Sequence, residues 1–428
     1  MKKLAKIFLT KIFTAQARAI ISKYRPKVIV VVGSIGKTST KLSVAKVLSA
    51  KYSVQYQDGN YNVPLSVPFV ISGQEYPGIT NYFQWIKAWR QGQKILKNGY
   101  SYDFVVLEYG TDHPGEIAEF ANLPKPDITI VSGIAAEHME FFKTISAVAE
   151  EELSVSQYSK QLIVNADSTS KKYIDEFVSE SVPIKTYGSK GYDYQLSAKQ
   201  TDGMYYDFLV TTDAGNNIAD CKTNMIGIHS LLPLVAAVAV ATEFNLSVDE
   251  INKAISQIEP PAGRMRVFDG KNNSKIIDDT YNASPVAVIA GLDTLYGLNA
   301  SERIALLGNM NELGDYSPEA HRQVGEHCNP EKLDLVVTIG EDANKYLAEA
   351  AEGKGCKVVR CTSPVQAGQV ILENLKEGSV VFAKGSQNGV FAEEAVKILL
   401  ASSYDVAKLV RQSKIWLTTK KNQFPEIV

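Results

Sequence analysis

The sequence predicts an α/β protein with a central phosphate-loop domain on a parallel sheet and a C-terminal doubly wound, Rossmann-like domain. Three observations carry this prediction. The 428 residues, 45% of them apolar, exceed what one hydrophobic core normally organises. Short β-branched runs alternate with helical stretches along most of the length, the pattern of parallel strands joined by crossover helices. One break, Glu259-Pro-Pro-Ala-Gly263, divides the alternation into two series, because paired prolines stop a helix and glycine frees the backbone. The expected organisation is an N-terminal amphipathic helix over 1–26, a central domain over 27–259 and a second domain over 260–428.

In chain order, residues 1–27 are basic and partly apolar, but Lys11 and Arg18 interrupt them and no small-residue cleavage site follows. They fit neither a signal peptide nor a spanning helix. Leu4, Ile7, Phe8, Ile12 and Ala15 fall near one helical face with lysines beside them, which suits docking on the next domain or peripheral contact of residues 1–24 with a membrane surface. Strands follow at Val28–Val32, Phe104–Gly110, Ile128–Ile134 and Gln161–Asp167. The aromatic and Thr-rich segment 192–222, with a turn at Asp213-Ala-Gly215, reads as a small antiparallel hairpin appended to this domain. An Ala/Val-rich helix after Gly227 and another near Ser247 complete it. Beyond Gly263 the runs KIIDDTY, RIALLGN, DLVVTIG, KVVRC and SVVFAKG, separated by helical patterns, form the second series.

Charge and cysteine content exclude several roles. Forty-five basic and 47 acidic residues leave a net charge of −2, so no global field draws in nucleic acid and an anionic ligand needs a local site. Cys221, Cys328, Cys356 and Cys361 form no CxxC pair or metal spacing, consistent with reduced thiols in a cytoplasmic protein.

The chemistry begins at the end of the first strand. Val28–Val32 run into Gly33-Ser34-Ile-Gly36-Lys37-Thr38-Ser39 and then a helix. Glycines let backbone N–H groups and the helix N-terminus face phosphate oxygens. Lys37 supplies charge to the terminal phosphates and the Thr38 hydroxyl suits Mg2+. The longer Walker pattern requires Gly where this chain has Val31, so the loop is a shortened form.

That form, G-[ST]-x-G-K-[ST], resembles the Mur ligase family, and further stretches extend the resemblance from about Lys27 to Leu400. Glu108 in LEYGTDHPGEI and His138 in GIAAEHMEFF match positions that imply ligands for two Mg2+ ions. Glu152 falls where related enzymes carry a carbamylated lysine, and it offers a shorter carboxylate to the same metal. Gly227-Ile-His229 matches an element near the adenine, with Ser230 and Pro233 replacing the family's asparagines. Arg264 in GRMR resembles the linker arginine that reaches phosphates as the domains close. Asp279, in IDDTYNASP, occupies the ribose-binding position, with Tyr281 and Asn282 beside it on the substrate side. Asn60 and Asn62 belong to a loop resembling the family's substrate loop, with Val63 and Ser66 departing from its pattern. The stretch Leu307–Ser317, with Asn309, Glu312 and later His321, and the turn Lys384-Gly-Ser386, resemble the D-alanyl-D-alanine-adding branch; Lys384 would pair with a substrate carboxylate.

The resemblance implies an ATP- and Mg2+-dependent amide ligase working through an acyl phosphate, with a nucleotide-sugar peptide and a dipeptide as substrates. Lys37, His138, Arg264 and Lys384 are the expected catalytic groups. Some 26 residues before the phosphate loop are too few for the sugar-binding domain of the resembling enzymes, so the sugar is expected to be held differently. Two other readings stay open: a ligase for another carboxylate, such as a pseudomurein-like or lipid-linked peptide, and a membrane-docked nucleotide-binding protein without catalysis. The expected location is the cytoplasm, free or at the inner face of the membrane.

Overall fold

A computed structural model describes residues 2–57, 59, 61–77, 82–201 and 204–427. Its first sheet contains β1 (Lys27–Val32), β2 (Val54–Gln55), β3 (Phe104–Glu108), β4 (Ile128–Val131), β5 (Leu162–Asn165), β6 (Ile184–Gly188), β7 (Tyr194–Thr201), β8 (Tyr205–Thr212) and β9 (Asn217–Thr223), in the order β2-β3-β1-β4-β5-β6-β7-β8-β9. Pairing is parallel from β2 through β7. β1, β3, β4 and β5 are apolar on both faces because helices cover both sides, and every residue of β3 is buried.

The segment read as an appended hairpin is instead a three-strand antiparallel meander that continues the sheet, since β7 pairs in parallel with β6 at Tyr187 and Tyr194. Alternating Tyr206, Phe208 and Val210 turn inward against the helix Ile228–Glu243, which gives the meander a core face.

The second sheet contains β10 (Arg266–Gly270), β11 (Ser274–Asp279), β12 (Arg303–Gly308), β13 (Leu335–Ile339), β14 (Val358–Cys361) and β15 (Val380–Lys384), ordered β10-β11-β15-β12-β13-β14. All its pairs are parallel except β10–β11, and apolar clusters cover both faces.

The N-terminal helix α1 (Lys2–Tyr24) packs on the domain through a face other than the expected one. Phe13, Gln16, Ala17, Ile20 and Ile21 are buried, whereas Ala15 is exposed and Ile7 and Phe8 are 46% and 65% exposed. The partners explain the choice. After α2 (Lys37–Leu48), α3 (Val67–Ile71) and α4 (Tyr82–Asn98) meet the C-terminal part of α1, where Phe13 joins Phe69 and Trp85 in an aromatic cluster. Gln16 donates to Trp89 O at 3.0 Å and the Tyr24 hydroxyl to Ile95 O at 3.1 Å, fastening α1 to α4. The Leu4 side chain lies outside the described residues. Among those described, no helix is long and apolar enough to cross a membrane.

Candidate active site

The C-terminal ends of both sheets open on one cleft of about 360 Å3, where parallel α/β sheets commonly place ligands. On one side β1 ends in the phosphate loop. Gly33 has φ 122°, and a Cβ there would stand 2.7 Å from Ser132 Oγ and 2.8 Å from Gly133 O, so neither the conformation nor the space admits a side chain. The Gly133 carbonyl accepts from Ser34 N at 2.8 Å, and Ser34 Oγ accepts from Ala135 N at 3.1 Å, tying the loop to the segment after β4. Ser34, Gly36, Lys37, Thr38 and Ser39 all line the cleft.

Lys37 stands among carboxylates, its Nζ 3.3 Å from Glu137 Oε2. Burial alone would depress this ammonium, but Glu137, Glu152 and Glu108 hold it above the usual lysine range, so it is charged at any physiological pH. Thr38 Oγ1 lies 3.2 and 3.1 Å from the two Glu108 carboxylate oxygens, and Lys41 Nζ lies 3.1 Å from Glu108 Oε2. Hydroxyl and carboxylate oxygens beside a phosphate loop are the hard donors Mg2+ prefers, so Thr38 and Glu108 fit one such ion. His138 Nε2 lies 3.4 Å from Asp112 Oδ1 and 3.7 Å from Glu137 Oε1, but among the described residues no three such side chains are gathered as a formed metal site.

Glu152 sits elsewhere than expected. It is buried and does not line the cleft; its Oε2 accepts from Gly33 N at 2.8 Å beneath the phosphate loop. Burial pushes this carboxyl up to about 7 against the opposing pull of Lys37 and the Gly33 amide. In this arrangement it braces the loop.

The opposite wall comes from the second domain. The register of β11 with β15 sets Asp279 directly opposite Lys384, and their side chains form a buried ion pair. Lys384 also donates to Asn282 O at 3.0 Å, and Asp279 Oδ1 accepts from Met265 N at 3.2 Å. Lys384, expected to meet a substrate carboxylate, lines the cleft with its ammonium paired to Asp279. Burial lowers its pKa, with Asp279 opposing the shift. The Arg264 guanidinium lies 4.2 Å from the centroid of the Tyr281 ring and lines the cleft together with Tyr281 and Asn282. His229 also lines it; although an edge stays accessible, desolvation lowers its pKa to about 4, so the imidazole is neutral at physiological pH.

The walls meet at several places, among them His138 and Glu312. His138 Nδ1 lies 2.8 Å from Glu312 Oε2, and Glu140 N donates to Glu312 O at 3.3 Å. Burial alone would depress His138, but Glu312, Glu137 and Asp112 more than reverse this.

Among the expected substrate residues, Asn62, Tyr281, Asn282 and Glu312 reach the cleft. Asn60 lies outside the described residues. Asn309 does not reach it, because its side-chain oxygen accepts from Ala343 N at 2.8 Å and its amide packs against Gly340. Its neighbour by two, Asn311, takes the cleft position, anchored by bonds of 2.6 and 2.8 Å to Gln387 O and Asn388 O. Sequence reasoning also missed Glu137 and Asp112, although Glu137 directly precedes a residue it selected. His321 acts behind the site: Met310 N donates to its Nε2 at 3.0 Å, and its Nδ1 bonds Ser317 O at 2.8 Å.

With this geometry, comparison with known proteins is decisive. The Mur ligase middle domain matches residues 31–241, and the Mur ligase glutamate ligase domain matches residues 263–387. The chain belongs to the Mur ligase family. It is 27% identical over 395 residues to the UDP-N-acetylmuramoyl-tripeptide–D-alanyl-D-alanine ligase of Bacillus subtilis, covering 90% of this chain and 78% of that one. The Escherichia coli enzyme of the same name is 25% identical, over 87% of this chain and 76% of its own. In fold, this Mur ligase resembles MurF from Acinetobacter baumannii, with a TM-score of 0.74 at 23% identity, covering 91% of this chain and 79% of that one. MurF from Thermotoga maritima, solved in complex with ADP, gives 0.73 at 24%, covering 91% and 83%.

Proposed function

We propose that this chain is an ATP-dependent amide ligase that adds D-alanyl-D-alanine to a UDP-N-acetylmuramoyl-tripeptide-like cell-wall precursor. The observation that carries this reading is the convergence of a phosphate loop, the carboxylates of Glu108, Asp112 and Glu137 and the Arg264–Asp279 wall on one cleft. ATP binds along Ser34–Ser39 with its terminal phosphates at Lys37, while Asp279 and His229 face the nucleoside. Thr38 and Glu108 would hold one Mg2+, and His138, the second ligand that the family resemblance implies, would reach another with Glu137 or Asp112; such ions would supply charge neutralisation at the phosphates.

A carboxylate must acquire a leaving group before it forms an amide. The acceptor carboxylate attacks the γ-phosphorus, the bond to ADP breaks, and an acyl phosphate forms. The neutral amine of the dipeptide then attacks the acyl carbon, and the tetrahedral intermediate collapses with loss of phosphate and of one proton from the nitrogen. Lys37 and Arg264 offset negative charge as phosphate transfers, an effect strengthened in a cleft shielded from water. Glu312 and His138 meet across the walls and keep water from the acyl phosphate when the cleft is closed.

The test combines ATP, Mg2+, UDP-N-acetylmuramoyl-tripeptide and D-alanyl-D-alanine, following phosphate release and identifying products by mass spectrometry. A pentapeptide product that disappears in Lys37→Ala supports the assignment. Nucleotide binding without that product transfers the reading to another carboxylate acceptor.

A second reading concerns α1 and α4, which we place against the inner membrane face in the cytoplasm. The two helices carry six and four lysines and arginines respectively and no Asp or Glu, and Phe8 and Trp89 are 65% and 45% exposed. Basic side chains with exposed aromatics suit an anionic lipid surface. Flotation with anionic vesicles, lost in Phe8→Ser or high salt, supports it; absence of flotation removes it.

A further inference from the structure

Beyond the matched family segment, which ends at residue 387, the C-terminal portion carries four buried charges that the proposed reaction does not use. Arg411 and Glu393 are 5% and 0% exposed in their side chains, and Lys420 is fully buried. Arg411 donates from Nε to Glu393 Oε1 at 2.8 Å and from Nη2 to Glu393 Oε2 at 2.7 Å. Lys420 Nζ lies 2.8 Å from the same Glu393 and 2.6 Å from Glu394 Oε1, so two cations balance two carboxylates.

Such a network is a poor source of stability, because desolvating four charges cancels much of their attraction, and apolar groups of similar volume often do as well. What apolar groups lack is the remaining set of bonds. Arg411 Nη1 donates to Tyr281 O at 3.0 Å, and its Nη2 to Thr280 O at 2.6 Å. These carbonyls follow Asp279 directly, and the Tyr281 ring carries the Arg264 stack. Tyr281 N in turn donates to Gly263 O at 3.1 Å. Gly263 has φ 66°, and a Cβ there would stand 2.8 Å from Val410 Cγ1, so the residue preceding Arg411 packs against the interdomain glycine. The 280–281 turn is thereby held on both sides, by the linker at its amide and by the C-terminal segment at its carbonyls.

We propose that Arg411, locked in place by Glu393, is a positioning residue for the nucleotide: it fixes the Thr280–Tyr281 turn so that Asp279 and the Arg264–Tyr281 stack face the cleft together. The inference rests on the nucleotide site of the reading above. A planar fork spans two carbonyls and a carboxylate at once, whereas an ammonium cannot match that geometry. Lys420 belongs to the same charge network, yet no bond joins it to the turn.

That difference supplies the test, made on the full chain with two substitutions. Calorimetric titration with Mg-ADP reads nucleotide affinity and needs no acceptor, so the outcome is independent of which amide the enzyme forms. Arg411→Lys is expected to weaken Mg-ADP about tenfold, the effect of one lost charge-assisted bond, and to raise KM for ATP with kcat nearly unchanged. Lys420→Met is expected to lower the melting temperature at least as much while leaving nucleotide affinity within twofold of wild type. Should Arg411→Lys fail to fold, Val410→Ala, which thins the contact with Gly263 and leaves Arg411 in place, is read in the same way with a smaller loss. Unchanged Mg-ADP affinity in a folded Arg411→Lys or Val410→Ala protein, or equal losses in Arg411→Lys and Lys420→Met, would overturn the proposal. Wild type that binds Mg-ADP but forms no pentapeptide would count against the acceptor assignment alone.

Discussion

Replacing Lys384 by Met removes one partner of a buried ion pair and leaves Asp279 with the Met265 amide as a remaining donor. The Lys384 and Asp279 side chains are 2% and 7% exposed, so water from the cleft replaces the lost partner poorly. Breaking such a pair costs about 3–5 kcal/mol. At about 2–4 °C per kcal/mol for a domain of this size, the transition of the second domain falls by roughly 6–20 °C. A thermal melt followed by circular dichroism reads this directly. The companion Asp279→Asn/Lys384→Met removes both charges while leaving an amide oxygen for Met265 N, and it melts above Lys384→Met alone. The coupling between the two sites amounts to about 1–3 kcal/mol. Two results would refute the reasoning: a loss below 1 kcal/mol in Lys384→Met, or strictly additive losses in the double variant. Either would mean that Lys384 is not spent on Asp279 and is free to meet substrate.

Further expectations concern the other wall and the support behind it. Gly33→Ala forces a side chain into 2.7 Å of Ser132 Oγ at a positive φ, so the rise in melting temperature on adding Mg-ATP disappears. Lys37→Ala lowers kcat by roughly 10²–10³, the usual loss when one charge-stabilising donor is removed, as read by phosphate release. His321 has a folded-state pKa depressed by burial, so the unfolded chain binds the extra proton first. Stability is therefore complete above the unfolded value of about 6.5 and declines as pH falls through it. Melting at pH 7.5 and 5.5 measures this decline, which shrinks in His321→Gln.

What the sequence disclosed and what it hid divide along physical lines. Strands buried on both faces announce themselves as apolar runs, so β1, β3, β4 and β5 were legible, as was the glycine-rich turn that must follow β1. Segment 192–222 was legible as antiparallel strands but not as part of the main sheet. Its pairing with β6 is parallel across a connection of only five residues, which an alternating strand pattern does not distinguish from a free hairpin edge. In α1 the apolar stripe pointed to one face, and burial fell on another because Phe69 and Trp85 meet Phe13 from elements far along the chain. The same limit applies in the cleft. Lys384 and Asp279 are 105 residues apart, and only sheet register makes them a pair. Choosing Asn309 over Asn311 was a matter of which amide the Ala343 backbone captures. Glu137 and Asp112, by contrast, lay in motifs already singled out, next to or within a few residues of His138 and Glu108, and that adjacency was the available signal.

The central claim is that the acceptor carboxylate is activated as an acyl phosphate in this cleft. Supplying the tripeptide substrate with 18O in its terminal carboxylate and analysing the released phosphate tests it most directly. One 18O atom transferred to phosphate per amide formed, dependent on Lys37, is the predicted result. Amide formation with unlabelled phosphate would contradict the account.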